Sequence, residues 1–87
     1  MPDYDILVLD PAHDNSEHAI LSYRKGDVEA GWTELAGTSS HVADLATDIA
    51  RLSGVTRFEV NIVGAGALIA ALLVERGFEV IGKQRAT

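Results

Sequence analysis

The spacing of hydrophobic and polar residues in the first part of the chain predicts three strands. Residues 4–10 are apolar on both faces, as expected of a strand in the centre of a sheet that is covered on both sides. Residues 18–25 and 28–36 flank Gly26-Asp27, where glycine supplies the positive φ that a tight hairpin turn needs. The second arm alternates between an apolar and a more polar face, which predicts a position nearer the edge of the sheet.

The rest of the chain predicts two helices that alternate with two strands. Residues 40–53 form the first helix, between hydroxyl side chains able to cap it and a glycine suited to its end. Residues 57–63 predict a strand, residues 65–76 a helix and residues 78–82 a last short strand. The apolar positions of the first helix are Val42, Leu45, Ala46, Ile49 and Leu52.

The order β-β-β-α-β-α-β, with right-handed crossovers, predicts an α/β fold built on a mixed five-stranded sheet. Strands one, four and five are expected to be parallel, and strands two and three antiparallel. The 87 residues, 47% of them hydrophobic, predict a single domain over residues 1–87 with a modest core.

The composition favours a cytoplasmic protein. The chain has no cysteine, which excludes disulfides, thiol nucleophiles and Cys-ligated zinc. Its first residues lack the pattern of a secretory signal, and the longest apolar stretch, residues 65–74, is shorter than the about 20 residues that span a membrane. We therefore expect no membrane partner.

The charge argues against nucleic acid as the main partner. The net charge is −6, and residues 1–48 carry ten acidic residues against Arg24 and Lys25 only. Binding to phosphates requires clustered basic residues, although a bound Mg²⁺ ion would offset part of an acidic field around a nuclease site. Trp32 is accordingly expected to pack with Tyr23 on the sheet rather than to stack on a base.

Two groups of acidic residues are candidates for binding a divalent cation. Asp10 ends the first strand, at the edge of a parallel sheet where ligands gather, and Asp14 lies in the polar loop that follows. Asp44 and Asp48 lie four residues apart on the first helix. The alternatives are a solvated turn for the loop and a solvated outer face for the helix. Asp10, Asp14 and Asp44 are the candidate metal ligands.

Four short segments, spread over nearly the whole chain, form a recognisable combination. They are Asp10-Pro-Ala, Ala19-Ile-Leu-Ser, Val60-Asn-Ile-Val-Gly-Ala-Gly-Ala67 and Leu72-Leu-Val-Glu-Arg-Gly77-Phe-Glu-Val80. Together they resemble the ribonuclease H-like fold, in particular the nuclease domain of phage terminase large subunits. The resemblance implies the same topology as the hydrophobic pattern, and a phage-encoded protein.

The resemblance also implies a two-metal site from which this sequence departs. In that family an acid ends the first strand, matched here by Asp10, and another lies on the strand of the second crossover, where this sequence has Asn61. A third lies on a C-terminal helix, which we expect to be lacking because the sequence stops at Thr87. Two cations about 4 Å apart need several carboxylate oxygens. The catalytic pair Asp10 and Asn61 is therefore predicted to be degenerate.

The segment around the second helix carries two further features. Gly64-Ala-Gly66 either cradles a phosphate at the helix N-terminus or forms a tight strand-to-helix turn, since the third glycine of a dinucleotide motif is absent. Residues 67–74 are apolar around the whole helix. This pattern predicts either an apolar but unpartnered outer face or an interface with another chain. The candidate interface residues are Leu68, Ile69, Leu72 and Leu73.

The leading functional hypothesis is a non-catalytic interaction module without a cofactor, which binds a second copy of itself or a host protein. The alternative is a nuclease or resolvase dependent on Mg²⁺ or Mn²⁺, in which Asp10, Asn61 and one of Asp14, Asp44 or Asp48 collect the metal. A nucleotide-binding regulator that uses the two glycines is a third hypothesis.

Overall fold

The structure, a computed structural model, describes residues 4–11 and 18–84 and contains the predicted elements in the predicted order. The strands are β1 (Ile6–Pro11), β2 (His18–Lys25), β3 (Val28–Ala36), β4 (Arg57–Asn61) and β5 (Glu79–Lys83), and the helices are α1 (Ser39–Ser53) and α2 (Gly66–Glu75). The hairpin arms have the predicted bounds. β4 ends earlier than predicted, because the chain turns immediately after Asn61.

The strands form one mixed sheet in the order β3-β2-β1-β4-β5. β1 pairs antiparallel with β2 and parallel with β4, and β4 pairs parallel with β5, as predicted. β1 is therefore central and β3 lies at an edge. Because β1, β4 and β5 run in one direction, their carboxyl ends lie together at one end of the sheet.

The hydrophobic core lies between the sheet and the two helices, which pack beside each other on one face. Leu7 and Leu9 of β1 are fully buried there, as is Phe58 of β4, whose ring meets Phe78 edge-on with centroids 5.1 Å apart. The intervening residues point to the opposite face, which neither described helix covers and which we call the open face. It carries Ile6, Val8, Asp10, Ile20, Ser22, Arg24, Trp32, Glu59, Asn61, Ile81 and Lys83.

α1 is buried along a stripe rotated from the predicted one: Val42 and Ala46 are buried as predicted, and Leu45 and Ile49 are partly buried against the core. It follows Thr38, whose hydroxyl accepts a 3.2 Å hydrogen bond from the N–H of His41, and it ends at Gly54 with a φ of 75°. Of the predicted stripe, Leu52 is 89% exposed. Small side chains face the core instead and let α1 approach the sheet and α2 closely. The buried residues of α1 are Val42, Ala43, Ala46, Thr47 and Ala50.

Trp32 does not pack where the sequence predicted. In the β2–β3 register Trp32 lies opposite Ser22, whereas Tyr23 lies opposite Gly31. Neighbouring positions of a strand pair point to opposite faces, so Tyr23 contacts Tyr4 at a centroid distance of 5.1 Å beside the core, and Trp32 lies 64% exposed on the open face. The predicted contact between Trp32 and Tyr23 is therefore wrong.

The four predicted interface residues on α2 differ in their exposure to solvent. Ile69 and Leu73 are 2% and 0% exposed and belong to the core, so they cannot contribute to an interface with another chain. Leu68 is 56% exposed, and Leu72 is partly buried. Neither α1 nor α2 is long and apolar enough to cross a membrane.

Candidate polar site at the carboxyl ends of the parallel strands

Asp10 and Asn61 meet where β1 and β4 end. The parallel register pairs Leu9 with Val60, so the next residue of each strand lies beside its counterpart on the open face. The Nδ2 atom of Asn61 donates a 3.0 Å hydrogen bond to Oδ1 of Asp10. The structure therefore brings together Asp10 and Asn61, the two residues that the family resemblance assigned to one site.

Both polar atoms of the Asn61 side-chain amide form hydrogen bonds. While Nδ2 binds Asp10, Oδ1 accepts a 3.2 Å hydrogen bond from the backbone N–H of Val63, where the chain leaves β4. Asn61 is 5% exposed, and a buried amide is stable when its donors and acceptors have partners. A carboxylate could keep the bond to Val63, but it has no hydrogen to donate to Asp10. An amide is thus the group that fits beside the Asp10 carboxylate.

Lys83 extends the pair into a row, and the sequence analysis missed it. The β4–β5 register pairs Asn61 with Lys83, and the N–H of Ile62 donates a 2.9 Å hydrogen bond to the Lys83 carbonyl oxygen. Lys83, Asn61 and Asp10 therefore follow one another across three adjacent strands on the open face. The predicted last strand stopped at residue 82; one more residue, combined with the parallel order, would have placed Lys83 in this row.

The turn between β4 and α2 explains both glycines of the Gly64-Ala-Gly66 segment. A Cβ atom on Gly66 would lie 1.7 Å from the carbonyl oxygen of Asn61 and 3.5 Å from Cγ of Pro11. Gly64 has a φ of 64°, a conformation that favours glycine. The N–H groups of Gly66 and Ala67 donate to carbonyl oxygens of the turn at 3.4 Å. These contacts favour the tight turn over a phosphate cradle.

Asp44 lies away from Asp10. Its carboxylate forms a 2.7 Å ion pair with Arg76, whose guanidinium also donates a 3.1 Å hydrogen bond to the Thr47 hydroxyl. Arg76 follows the last residue of α2, whereas Gly66, the first residue of α2, lies against Asn61. The ten residues of α2 correspond to about 15 Å of helix. Thr47 is 5% exposed at this contact between the helices, although it lies on the same helix as the predicted solvated pair Asp44 and Asp48.

The predicted set of metal ligands is therefore not assembled by the described residues. Asp14 lies outside them, and Asp44 binds Arg76 instead. Across residues 4–11 and 18–84, no three His, Cys, Asp or Glu side chains lie close enough together to hold a metal ion. One carboxylate, one amide and one lysine do not match the set of hard oxygen ligands that Mg²⁺ or Mn²⁺ needs.

Ion pairs connect the strands across the rest of the open face. Arg24 of β2 contacts Glu59 of β4 over the central strand, with 3.4 Å between Nη2 and Oε1, and Glu59 is 6% exposed. This contact could not be predicted from the residue pattern, because it depends on which strands lie side by side in the sheet. His18 lies 2.9 Å from Glu34, and Arg57 pairs with Glu79. Glu59 and Glu79 each face an arginine, so this part of the open face is not a purely anionic surface.

Comparison with known proteins supports the fold. No protein-family model matches the chain, and no curated protein is similar to it. Among solved structures, it is similar to the nuclease domain of the large terminase subunit of bacterial virus Sf6, determined as a mutant with manganese and beta-thujaplicinol. The TM-score is 0.63 at 21% sequence identity, over 92% of this chain and 36% of that one. The chain thus has a ribonuclease H-like α/β fold and spans about a third of the length of that nuclease domain.

Proposed function

We propose that this protein is a non-catalytic interaction module that uses a ribonuclease H-like scaffold to bind a second copy of itself. The observation that carries the non-catalytic part is the hydrogen bond from Asn61 to Asp10. It satisfies the Asp10 carboxylate with a neutral amide at the place where metal chemistry requires converging charges. The fold alone does not imply an activity, because function depends on the site.

The interaction surface in this proposal is the outward side of α2. Helical spacing places Ala67, Leu68, Ala71 and Val74 on the side away from the buried Ile69 and Leu73 stripe. Leu68 is 56% exposed and Val74 57% exposed. The only charged side chain within α2 is Glu75. Several apolar side chains close together on the outside of a small domain are typical of an interaction site.

A second copy is the partner that suits this surface. If two α2 helices cross antiparallel at Ala71, the small side chain lets them approach, and Leu68 of one copy faces Val74 of the other because both lie three residues from the crossing point. The two Glu75 side chains are then kept apart. Such a contact is self-complementary about a two-fold axis, which is the commonest symmetry of oligomers. Arg76, which follows α2, is engaged by Asp44 within its own chain.

Leu68→Glu is expected to convert the dimer into a monomer without unfolding it, because it places a charge against Val74 of the other copy within an apolar contact. We expect the dimer dissociation constant to rise by tenfold or more, on the order of 1.4 kcal/mol, as measured by light scattering over a concentration series. Leu52→Glu is the matched control, since Leu52 is 89% exposed near the end of the other helix. A wild type that stays monomeric at high concentration would remove the self-association part of the proposal.

Asp10→Asn is expected to leave the fold intact and to change no nuclease activity, because the wild-type site lacks the charge to hold two metal ions. The assay is cleavage of single- and double-stranded DNA and of RNA in Mg²⁺ or Mn²⁺, with circular dichroism as the test of folding. Metal-dependent cleavage by the wild type that is lost in Asp10→Asn would instead establish the alternative, a nuclease or resolvase in which Asn61 serves as a ligand. The nuclease alternative is supported by the position of Asp10 at the end of a central strand with a parallel neighbour, where ligands commonly bind.

A further inference from the structure

β3 is an edge strand whose outer side has no partner among the described residues. In the sheet order β3-β2-β1-β4-β5 it pairs with β2 alone. Its nine residues include no proline, lysine or arginine, which are residues that commonly block such an edge. Within residues 4–11 and 18–84, the backbone hydrogen bonds outside the regular helices and strands do not involve β3. The N–H and C=O groups that point away from β2 can therefore pair with a further strand.

The regular part of this edge carries an exposed aromatic ring. The β2–β3 register shifts between Tyr23 and Arg24, near the hairpin turn, and is uninterrupted from residue 31 to residue 36. Trp32 lies in this regular part and is 64% exposed on the open face. Glu34 follows two residues later and projects from the same face. An exposed tryptophan on a face that no described helix covers is typical of a surface that contacts another protein.

The charge of β3 selects a basic partner. Glu29 and Glu34 are both exposed, and they are the only charged side chains of this strand. Glu34 lies 2.9 Å from His18, whereas Glu29 forms no ion pair in the described part of the chain. A lysine or arginine on an added strand would pair with these carboxylates and could lie over the ring of Trp32. A second copy fits less well, because two β3 strands would bring their glutamates together without a basic residue of β3 between them.

We propose that β3 binds an extended, basic segment of a partner protein as a sixth strand of the sheet. Backbone hydrogen bonds along the edge supply affinity, and the Trp32 ring and the two glutamates select lysine or arginine at alternate positions of the segment. This surface is separate from the outward side of α2. The binding of a basic segment therefore does not depend on the proposed self-association, and the two can fail independently.

The probe is a nine-residue peptide of alternating lysine and threonine, which matches the length of β3 and favours an extended backbone. Binding to the wild-type protein is followed by the emission of Trp32, the only tryptophan in the chain. We expect a peptide of alternating glutamate and threonine to bind about tenfold more weakly. Methylation of every backbone amide of the lysine peptide should abolish binding, because it removes the N–H donors and retains the side chains and their charge.

Two double variants of the protein test the role of the glutamates. Glu29→Gln with Glu34→Gln should weaken binding of the lysine peptide by about tenfold. The matched control is Asp48→Asn with Glu75→Gln, which has the same net charge but alters exposed acids on the helices. We expect the control to change the affinity by less than about twofold.

Three results would overturn the proposal. They are an unchanged Trp32 emission at about 1 mM lysine peptide, equal binding of the methylated and unmethylated peptides, and equal losses of affinity in the two double variants. The peptide comparison requires no altered protein, so it remains decisive if a variant fails to fold. Dilution of Leu68→Glu in the absence of peptide distinguishes the remaining occupant. A concentration-dependent Trp32 emission in that variant would show that a second copy occupies the edge, and would also overturn the proposal.

Discussion

Gly66→Ala is expected to destabilise the protein by on the order of 3 kcal/mol or more. The added Cβ would lie 1.7 Å from the carbonyl oxygen of Asn61, and this neighbour is backbone within a paired strand. It cannot rotate away as a side chain would. To make room, α2 has to move off β4, which removes Ile69 and Leu73 from the core.

A loss of this size is severe for a chain of 87 residues, whose total stability is expected at about 4–13 kcal/mol. The measurement is urea denaturation followed by circular dichroism. The matched control is Gly64→Ala, two residues earlier in the same turn. There a Cβ meets no atom within 4 Å, and the φ of 64° should cost only about 1–2 kcal/mol. Equal losses for the two variants would show that backbone conformation, and not the close approach to Asn61, determines the effect.

The order of the elements along the chain and the directions of the strands could be predicted from the sequence, because each depends on short-range signals. The hairpin followed from Gly26-Asp27 between two apolar arms, and the parallel strands followed from alternation of strand and helix. The closeness of Asp10 and Asn61 was implied by the resemblance to the ribonuclease H-like fold, in which acidic residues on these two strands share a metal site. The hydrogen bond between the two side chains was not predicted.

What the sequence could not predict depends on how the elements pack. The buried stripe of α1 is rotated towards small residues, because close approach to α2 matters more there than the hydrophobicity of Leu52. Trp32 lies on the opposite face from Tyr23 because the register of the hairpin shifts between Tyr23 and Arg24, an irregularity that the residue pattern does not predict. Similarly, Ile69 and Leu73 are indistinguishable by type from Leu68 and Leu72, and only the position of the sheet separates them.

Asn61→Asp is expected to lower the free energy of unfolding by about 2 kcal/mol at pH 7. The substitution removes the donor that reaches Oδ1 of Asp10 at 3.0 Å and replaces it with a second carboxylate at a site that is 5% exposed. The bond from Val63 is retained, because a carboxylate oxygen accepts it as the amide oxygen does. The loss of stability is therefore expected from the interaction between residue 61 and Asp10.

The loss should depend on pH in a defined direction. The neighbouring carboxylate raises the pKa of the introduced Asp in the folded state above its unfolded value of about 3.9. The folded variant then binds protons more tightly than the unfolded one. The difference in unfolding free energy between variant and wild type is therefore largest near pH 7 and becomes smaller as the pH falls towards 4. Thermal denaturation of both proteins across this range measures the difference directly.

Exchanging the two residues provides the control that separates repulsion from a general intolerance of Asp at position 61. In the double variant Asp10→Asn with Asn61→Asp, the amide on β1 donates to the carboxylate on β4, which still accepts from the N–H of Val63. The exchanged pair has the wild-type net charge, and only the hydrogen bond between the two side chains runs in the reverse direction. It should recover most of the lost stability and lose the pH dependence. If the exchanged protein is as unstable as Asn61→Asp, the hydrogen bond between the strand ends is not what selects asparagine at this position, and the non-catalytic proposal loses its main support.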